Sequence, residues 1–178
     1  MNVFTRSSAW TSNSSLISGW VSCWASVSNI SSTAFWILKS IVRKYDVVII
    51  PIPTYGLFVY EPEKLGATVE FIELKEEDNF KINLNELREK IIEINDGLKK
   101  KYCHLNYVPR VVAFVNANPN NPTGKVMGEK EVDLLKEIGE VCLKRGVFII
   151  DDLVYRDITF DEDNIAKPIA TIPGMFRN

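Results

Sequence analysis

The sequence is poor in the residue types on which several classes of protein depend. Its 178 residues include three cysteines and one histidine. The cysteines are an odd number without a Cys-x-x-Cys pair, so neither a disulfide framework nor a zinc site is expected. The single histidine, His104, stands beside Cys103 in a predicted loop, and a lone Cys-His pair does not complete a metal site. No apolar run approaches the ~18 residues of a membrane span.

Strong charge and phosphate-binding glycine loops are also missing. The net charge is −2 and there is no long basic run, which argues against a general nucleic-acid-binding surface. Neither a G-x-G-x-x-G nor a G-x-x-x-x-G-K-[ST] loop occurs, so an unrelated nucleotide-binding domain is a weak alternative. Hydrophobic residues make up 46% and charged residues 25% of the chain, a composition that suggests one globular domain or a large piece of a bigger one.

Acidic residues are absent from the first quarter of the chain. The first acid is Asp46, whereas every serine lies at or before Ser40 and all four tryptophans lie at or before Trp36. This contrast predicts a compositional boundary near residues 25 to 30. Residues 1–25 lack the apolar region of a signal peptide, and a transit peptide or a disordered tail is an alternative. We interpret them as an atypical Ser/Trp-rich segment outside the fold, such as a shifted reading frame or a mis-set gene start would produce.

Helical and strand patterns alternate after this segment. Strands are predicted over 46–51, 68–74, 111–115 and 147–150, and helices over 33–44, 55–65, 83–94 and 129–145. Gly97 is expected to end the third helix and leave Lys99, Lys100 and Lys101 in a solvated linker. The alternation predicts an α/β fold with a mostly parallel sheet sandwiched by helices.

Polar and aromatic residues follow three of the predicted strands. Pro53-Thr54-Tyr55 follows the first strand, Asn121-Pro122-Thr123-Gly124 follows the third, and Asp152 with Tyr155 follows the fourth. Ligands of open α/β sheets bind at the carboxyl ends of the strands, so these segments predict a binding site. Each one alone also has an ordinary interpretation, as a turn, a helix cap or a packing aromatic.

Taken together, these segments resemble the class I/II aminotransferases, the pyridoxal-phosphate enzymes of the aspartate aminotransferase type. The resemblance runs from about residue 25 to 178 and rests on the sequences Asn118-Pro119-Asn120-Asn121-Pro122-Thr123-Gly124, Asp152-Leu153-Val154-Tyr155 and Pro53-Thr54-Tyr55-Gly56. It implies that residues 26–178 form part of the large domain of the PLP-transferase fold. It also implies pyridoxal 5'-phosphate as the cofactor, with amino-group transfer between an amino acid and a 2-oxo acid as the reaction.

The resemblance implies one cofactor contact for each matched position. Asp152 would face the pyridine nitrogen and keep it protonated, so that the ring accepts electrons. Asn121 and Tyr155 would contact the phenolic oxygen, and Tyr55 would stack on the ring face. Ser32 and Thr33 would contact the phosphate. The family usually has glycine in its phosphate loop, and this chain has none between Gly19 and Gly56.

No residue of the chain matches the family's Schiff-base lysine. That lysine follows the next strand beyond the Asp/Tyr pair, and only residues 156–178 follow Tyr155. The one lysine among them, Lys167, precedes Pro168 in a predicted loop; it and Lys125 are predicted to be solvated surface residues. We therefore expect a chain truncated at both ends and inactive alone. The alternative is a non-catalytic remnant acting at most as a cofactor-binding or interaction module.

The resemblance also implies partners and location for the full-length parent. These are amino acid and 2-oxo acid substrates, a homodimer and the cytoplasm, with no nucleic-acid or membrane partner. Loss of the neighbouring strand would leave an open sheet edge, which favours aggregation or partner binding.

Overall fold

The computed structural model describes residues 30–158, 160–161 and 163–175, with only the backbone of residues 30–32. The predicted Ser/Trp-rich segment 1–25 therefore lies outside the described residues, as does the side chain of Ser32. The helices are α1 (Ile30–Ile41), α2 (Leu57–Lys64), α3 (Leu84–Lys101) and α4 (Val132–Arg145), and the strands are β1 (Val47–Ile52), β2 (Thr68–Glu73), β3 (Val111–Ala117) and β4 (Phe148–Asp152). None of these helices is both long and apolar enough to cross a membrane.

The four strands form one parallel sheet in the order β2-β1-β3-β4. The apolar runs of β1, β3 and β4 are continuous because both faces of the sheet are covered there, whereas the edge strand β2 alternates. Ile49 packs with Leu135 in a core on the face that carries α3 and α4. The next residue, Ile50, points to the opposite face and packs with Leu38 of α1 and Phe58 of α2. The predicted α/β fold with a parallel sheet between helices is confirmed.

Helix α3 is longer than the sequence pattern predicts. Its start is capped as expected, because Asn83 Oδ1 accepts hydrogen bonds of 3.0 and 3.2 Å from two backbone N–H groups of the first turn. The helix then continues through Gly97 to Lys101, so the prediction that Gly97 ends it and that a linker follows is wrong. A glycine costs a helix about 1 kcal/mol. The burial of side chains such as Ile91 against the sheet outweighs that cost.

The other helix ends differ by a few residues at most. Helix α1 begins at Ile30 and ends at Ile41, so it starts earlier than the predicted Thr33. Helix α4 ends at Gly146, as predicted, where a φ of +64° suits glycine. The backbone N–H of Gly146 donates to the carbonyl of Leu143 at 3.1 Å, and β4 follows within two residues.

Candidate functional site

The candidate site lies along the carboxyl edge of the sheet. Because β1, β3 and β4 are parallel neighbours, the segments that follow them leave the sheet at the same edge. A short connection joins the end of α1 to the start of β1, so the first turn of α1 lies towards this edge as well. The topology thus collects at one edge all the segments that carry the predicted site residues.

Asn121 and Tyr155 are in direct contact. The Asn121 side-chain amide donates a hydrogen bond of 3.3 Å to the Tyr155 hydroxyl. Tyr155 is 40% exposed and Asn121 is half-buried, so a ligand can reach both groups. An amide N–H and a hydroxyl at this separation can both donate to a single acceptor atom, such as a phenolic oxygen.

Asp152 offers a carboxylate oxygen at the end of β4. Its Oδ1 accepts a hydrogen bond of 3.1 Å from the backbone N–H of Val154, which closes a local turn. Within the described residues, no hydrogen bond reaches Oδ2. Burial raises the pKa of Asp152, and the hydrogen bond from Val154 opposes that rise. A cationic N–H donor placed at Oδ2 would favour the ionised carboxylate.

The loop after β3 contacts the segments on both sides of it. On one side, the backbone N–H of Asn118 donates to the carbonyl of Asp152 at 2.8 Å. On the other side, the Asn120 side chain donates to the carbonyl of Pro53 at 3.4 Å, while its Oδ1 is buried without a partner among the described residues. Tyr55, two residues beyond Pro53, is 48% exposed, so its ring can stack on a ligand. The structure thus brings the neighbourhoods of Asp152, Asn121 and Tyr55 together.

The two residues predicted to bind phosphate lie in the first turn of α1. Since this helix begins at Ile30, Ser32 and Thr33 are inside the turn rather than in a loop before it. Thr33 is half-buried, and no described contact joins it to the other candidate residues. The first backbone N–H groups of a helix lack intrahelical acceptors, so this turn can donate hydrogen bonds to an anion.

The two lysines predicted to be solvated are both ion-paired. Lys125 Nζ lies 3.1 Å from Glu131 Oε1, and each of these side chains is only 13% exposed. The prediction that Lys125 is a solvated surface residue is therefore wrong. Lys167 pairs with Glu129, and its side chain is 28% exposed. It is partly buried rather than fully solvated. Both ammonium groups are thus engaged by glutamate carboxylates.

A buried polar pair that no sequence motif singled out lies on the other face of the same edge. Asp151 Oδ1 accepts a hydrogen bond of 2.7 Å from the Asn116 side chain, and Oδ2 accepts one of 2.8 Å from the backbone N–H of Ile169. Burial raises the pKa of Asp151 to about 6, the two hydrogen bonds oppose the rise, and the charge of Asp152 adds to it. The sequence did contain a signal for this pair. Asp151 directly follows the β-branched run of β4, and Asn116 ends the apolar run of the neighbouring strand β3.

The parallel sheet between helices corresponds to part of the PLP-transferase fold. The family model described as aminotransferase class I and II matches residues 27–175. The chain therefore belongs to the class I and II aminotransferase family.

Known relatives are considerably longer than this chain. The aspartate aminotransferase of Geobacillus stearothermophilus is 29% identical over 126 residues, which cover 71% of this chain and 27% of the relative. The inactive alanine aminotransferase of Saccharomyces cerevisiae is 34% identical over 141 residues, which cover 74% of this chain and 25% of the relative. A PLP-bound C-S lyase from Staphylococcus hominis shares the fold, with a TM-score of 0.65 at 23% identity over 81% of this chain and 32% of that one. The chain thus spans between a quarter and a third of their length.

Proposed function

We propose that this chain is the pyridoxal 5'-phosphate-binding part of an aminotransferase and that residues 26–178 form that part, without residues 1–25. One observation carries the proposal. The Asn121 amide and the Tyr155 hydroxyl lie 3.3 Å apart, and Asp152, three residues before Tyr155, has one carboxylate oxygen free of hydrogen bonds in the described structure. Asn121 and Tyr155 can donate hydrogen bonds to the phenolic oxygen of the cofactor ring, and Asp152 can accept one from its pyridinium nitrogen.

The chemistry of the donor set fits the cofactor. Asp152 would accept a hydrogen bond from the protonated pyridine nitrogen. The resulting ion pair would keep the proton on that nitrogen. Asn121 and Tyr155 would donate to the phenolic oxygen and so fix the tilt of the ring. Tyr55 would cover one ring face, a contact worth roughly 0.5–1.5 kcal/mol beyond burial. The first turn of α1, with Ser32 and Thr33, would receive the phosphate dianion.

When bound, pyridoxal 5'-phosphate supplies an electron sink that stabilises the carbanion at the substrate α-carbon. Our proposal for the parent enzyme is amino-group transfer between an amino acid and a 2-oxo acid, in a cytoplasmic homodimer. Membership of the aminotransferase family supports the substrate class. We assign neither Lys125 nor Lys167 the role of Schiff-base partner, since both are held in ion pairs. We therefore propose that this chain binds the cofactor non-covalently and does not transaminate by itself.

A non-catalytic role is the second candidate. It would make this chain a cofactor-binding or interaction module with no transamination in any assembly. The relationship to a yeast protein named an inactive alanine aminotransferase, at 34% identity, favours keeping this candidate.

The test is a titration of the purified full chain with pyridoxal 5'-phosphate. Absorption and tryptophan fluorescence follow binding, and borohydride reduction with mass spectrometry detects a covalent adduct. We expect saturable binding without a stoichiometric adduct, weakened by Asp152→Asn and unchanged by Asp133→Asn, a substitution at an exposed position of α4. Absence of binding would refute the cofactor site. A stoichiometric adduct on one lysine, with measurable transamination, would refute the proposed inactivity of this chain.

A further inference from the structure

We propose that Asn118 is a positioning residue, which holds the loop of residues 119–126 so that Asn121 reaches the phenolic oxygen of the cofactor. The inference rests on the proposed function for the identity of that ligand. Asn118 itself touches neither Asn121 nor Tyr155 in the described hydrogen-bond network, so it would act only through the loop.

The Asn118 side chain is fully buried and uses both ends of its amide. Its Oδ1 accepts a hydrogen bond of 2.8 Å from the backbone N–H of Met127. Its Nδ2 donates to the carbonyl of Met127 at 2.8 Å and to the carbonyl of Lys167 at 3.3 Å. One side chain therefore pairs with both backbone groups of Met127, as a neighbouring strand would, and closes the base of the loop.

The backbone of Asn118 also attaches the base of the loop to β4. Its N–H donates to the carbonyl of Asp152 at 2.8 Å, next to the carboxylate proposed to meet the pyridine nitrogen. Within the loop, backbone hydrogen bonds of 2.8 and 2.9 Å join Asn120 to Gly124 and Lys125. Asn121 follows directly after this braced residue. The path from Asp152 to Asn121 thus runs through Asn118 and Asn120, whose positions are both set by hydrogen bonds.

Removing the Asn118 amide would leave an unpaired group inside the protein. Met127 is 6% exposed, so its N–H would lose its acceptor without gaining water, whereas its carbonyl keeps a bond of 3.0 Å from the backbone N–H of Lys167. The 3.3 Å hydrogen bond between Asn121 and Tyr155 is exposed to solvent and cannot hold the loop by itself. The loop would therefore sample other positions, and Asn121 would leave its place beside Tyr155.

A matched control is Asn95 of α3, whose side chain contacts the other end of β3. Asn95 accepts a hydrogen bond of 2.7 Å from the backbone N–H of Val111, at the opposite end of β3. Asn95→Ala therefore removes a side-chain hydrogen bond to the backbone without touching the loop. The test variants are Asn118→Ala and Asn118→Ser. The serine variant retains a polar group too short to reach both Met127 groups, and it serves if the alanine variant does not fold.

Two measurements on the full chain decide the question. The first is hydrogen exchange of peptides covering residues 119–127. The second is the affinity for pyridoxal 5'-phosphate and for its 3-deoxy analogue, which lacks the oxygen that Asn121 would contact. We expect the Asn118 variants to speed exchange in this peptide at least about tenfold and to weaken cofactor binding about five- to tenfold, the size of one lost hydrogen bond. Binding of the 3-deoxy analogue should not change, and Asn95→Ala should alter neither.

Each alternative result has a distinct meaning. Equal losses for the two ligands, or loop exchange equal to that of Asn95→Ala, would overturn the positioning role and leave a merely structural residue. Asn118→Ala added to Asn121→Ala should cause no further loss of cofactor affinity, and additive losses would also overturn the inference. If the wild-type chain binds neither ligand, the proposed cofactor function fails. The positioning role is then decided by the exchange contrast between the Asn118 and Asn95 variants.

Discussion

Asn116 on β3 donates a hydrogen bond of 2.7 Å to Asp151 on β4, its partner across the parallel ladder. Consecutive strand residues point to opposite faces of a sheet, so Asp151 and Asp152 serve different environments. Asp151 faces the helices α3 and α4 and accepts a hydrogen bond from the backbone N–H of Ile169. Asp152 faces the candidate site. The two adjacent carboxylates thus have different roles. Asp151 binds the buried segment at Ile169, and Asp152 is available to a ligand.

Asp151→Asn should remove a pH dependence of folding. The pKa of Asp151 is about 6 in the fold and near 3.8 for an ordinary aspartate, so the folded state binds more protons between these values. The associated stability is present below about pH 3.8 and is lost as the pH rises through 6, a difference of up to roughly 3 kcal/mol. The variant keeps a side chain of the same shape without the charge, although its NH2 replaces one of the two oxygens that accept N–H hydrogen bonds, which lowers stability at every pH. We expect its unfolding free energy to stay constant between pH 4 and 7, whereas that of the wild type falls.

Urea unfolding at both pH values measures this effect. Asp96→Asn, at an exposed position of α3, is the control and should follow the wild type at each pH. If Asp151→Asn shows the same fall in unfolding free energy as the wild type between pH 4 and 7, then Asp151 does not titrate in this range.

The sequence predicted the strands from local pattern and the site residues from family resemblance. The β-branched runs predicted β1 and β4 because both faces of a parallel strand are buried, and the resemblance selected Asn121, Asp152 and Tyr155 at strand ends. The bonds of Asn118 could not be predicted in this way, since they join residues up to 49 positions apart. The ion pair of Lys125 with Glu131 spans only six positions, but it lies in an irregular loop where no helix or strand spacing predicts it. Gly97 misled the prediction for α3 because packing outweighs a local preference.

Replacing Tyr107 by phenylalanine should destabilise the amino edge of the sheet. Asp46 is fully buried there and accepts hydrogen bonds from the Tyr107 hydroxyl at 2.8 Å and from the backbone N–H groups of Arg43 and Arg110 at 2.9 and 3.1 Å. A hydrogen bond to a charged group is worth about 1.5–3 kcal/mol, and its loss leaves the carboxylate under-satisfied. Urea unfolding should show a loss of this size for Tyr107→Phe. Tyr60→Phe, at a position 62% exposed, should show almost none; equal effects would refute the role of the Asp46 bond.

Gly128→Ala should destabilise the protein through a steric clash. A Cβ at this position would lie 2.3 Å from Asn164 Oδ1 and 3.0 Å from the carbonyl oxygen of Ile165. Overpacking of this kind costs about 1–3 kcal/mol. Thermal unfolding should show a corresponding fall in the midpoint, and an unchanged midpoint would mean that residues 164–165 do not pack against Gly128.

Gly97→Ala should have the opposite effect, because Gly97 lies inside α3 with open space around it. No heavy atom outside the helix stands within 4 Å of the position that a Cβ would take. Alanine gains about 0.5–1 kcal/mol over glycine in a helix interior, since it loses less backbone entropy on folding. We expect urea unfolding to show a free energy of unfolding raised by that amount for Gly97→Ala, seen as a higher midpoint at constant slope. If α3 instead ended at Gly97 in a left-handed conformation, the same substitution would lower the free energy of unfolding by about 1 kcal/mol. The sign of one measurement therefore distinguishes a helix that continues to Lys101 from one that stops at the glycine.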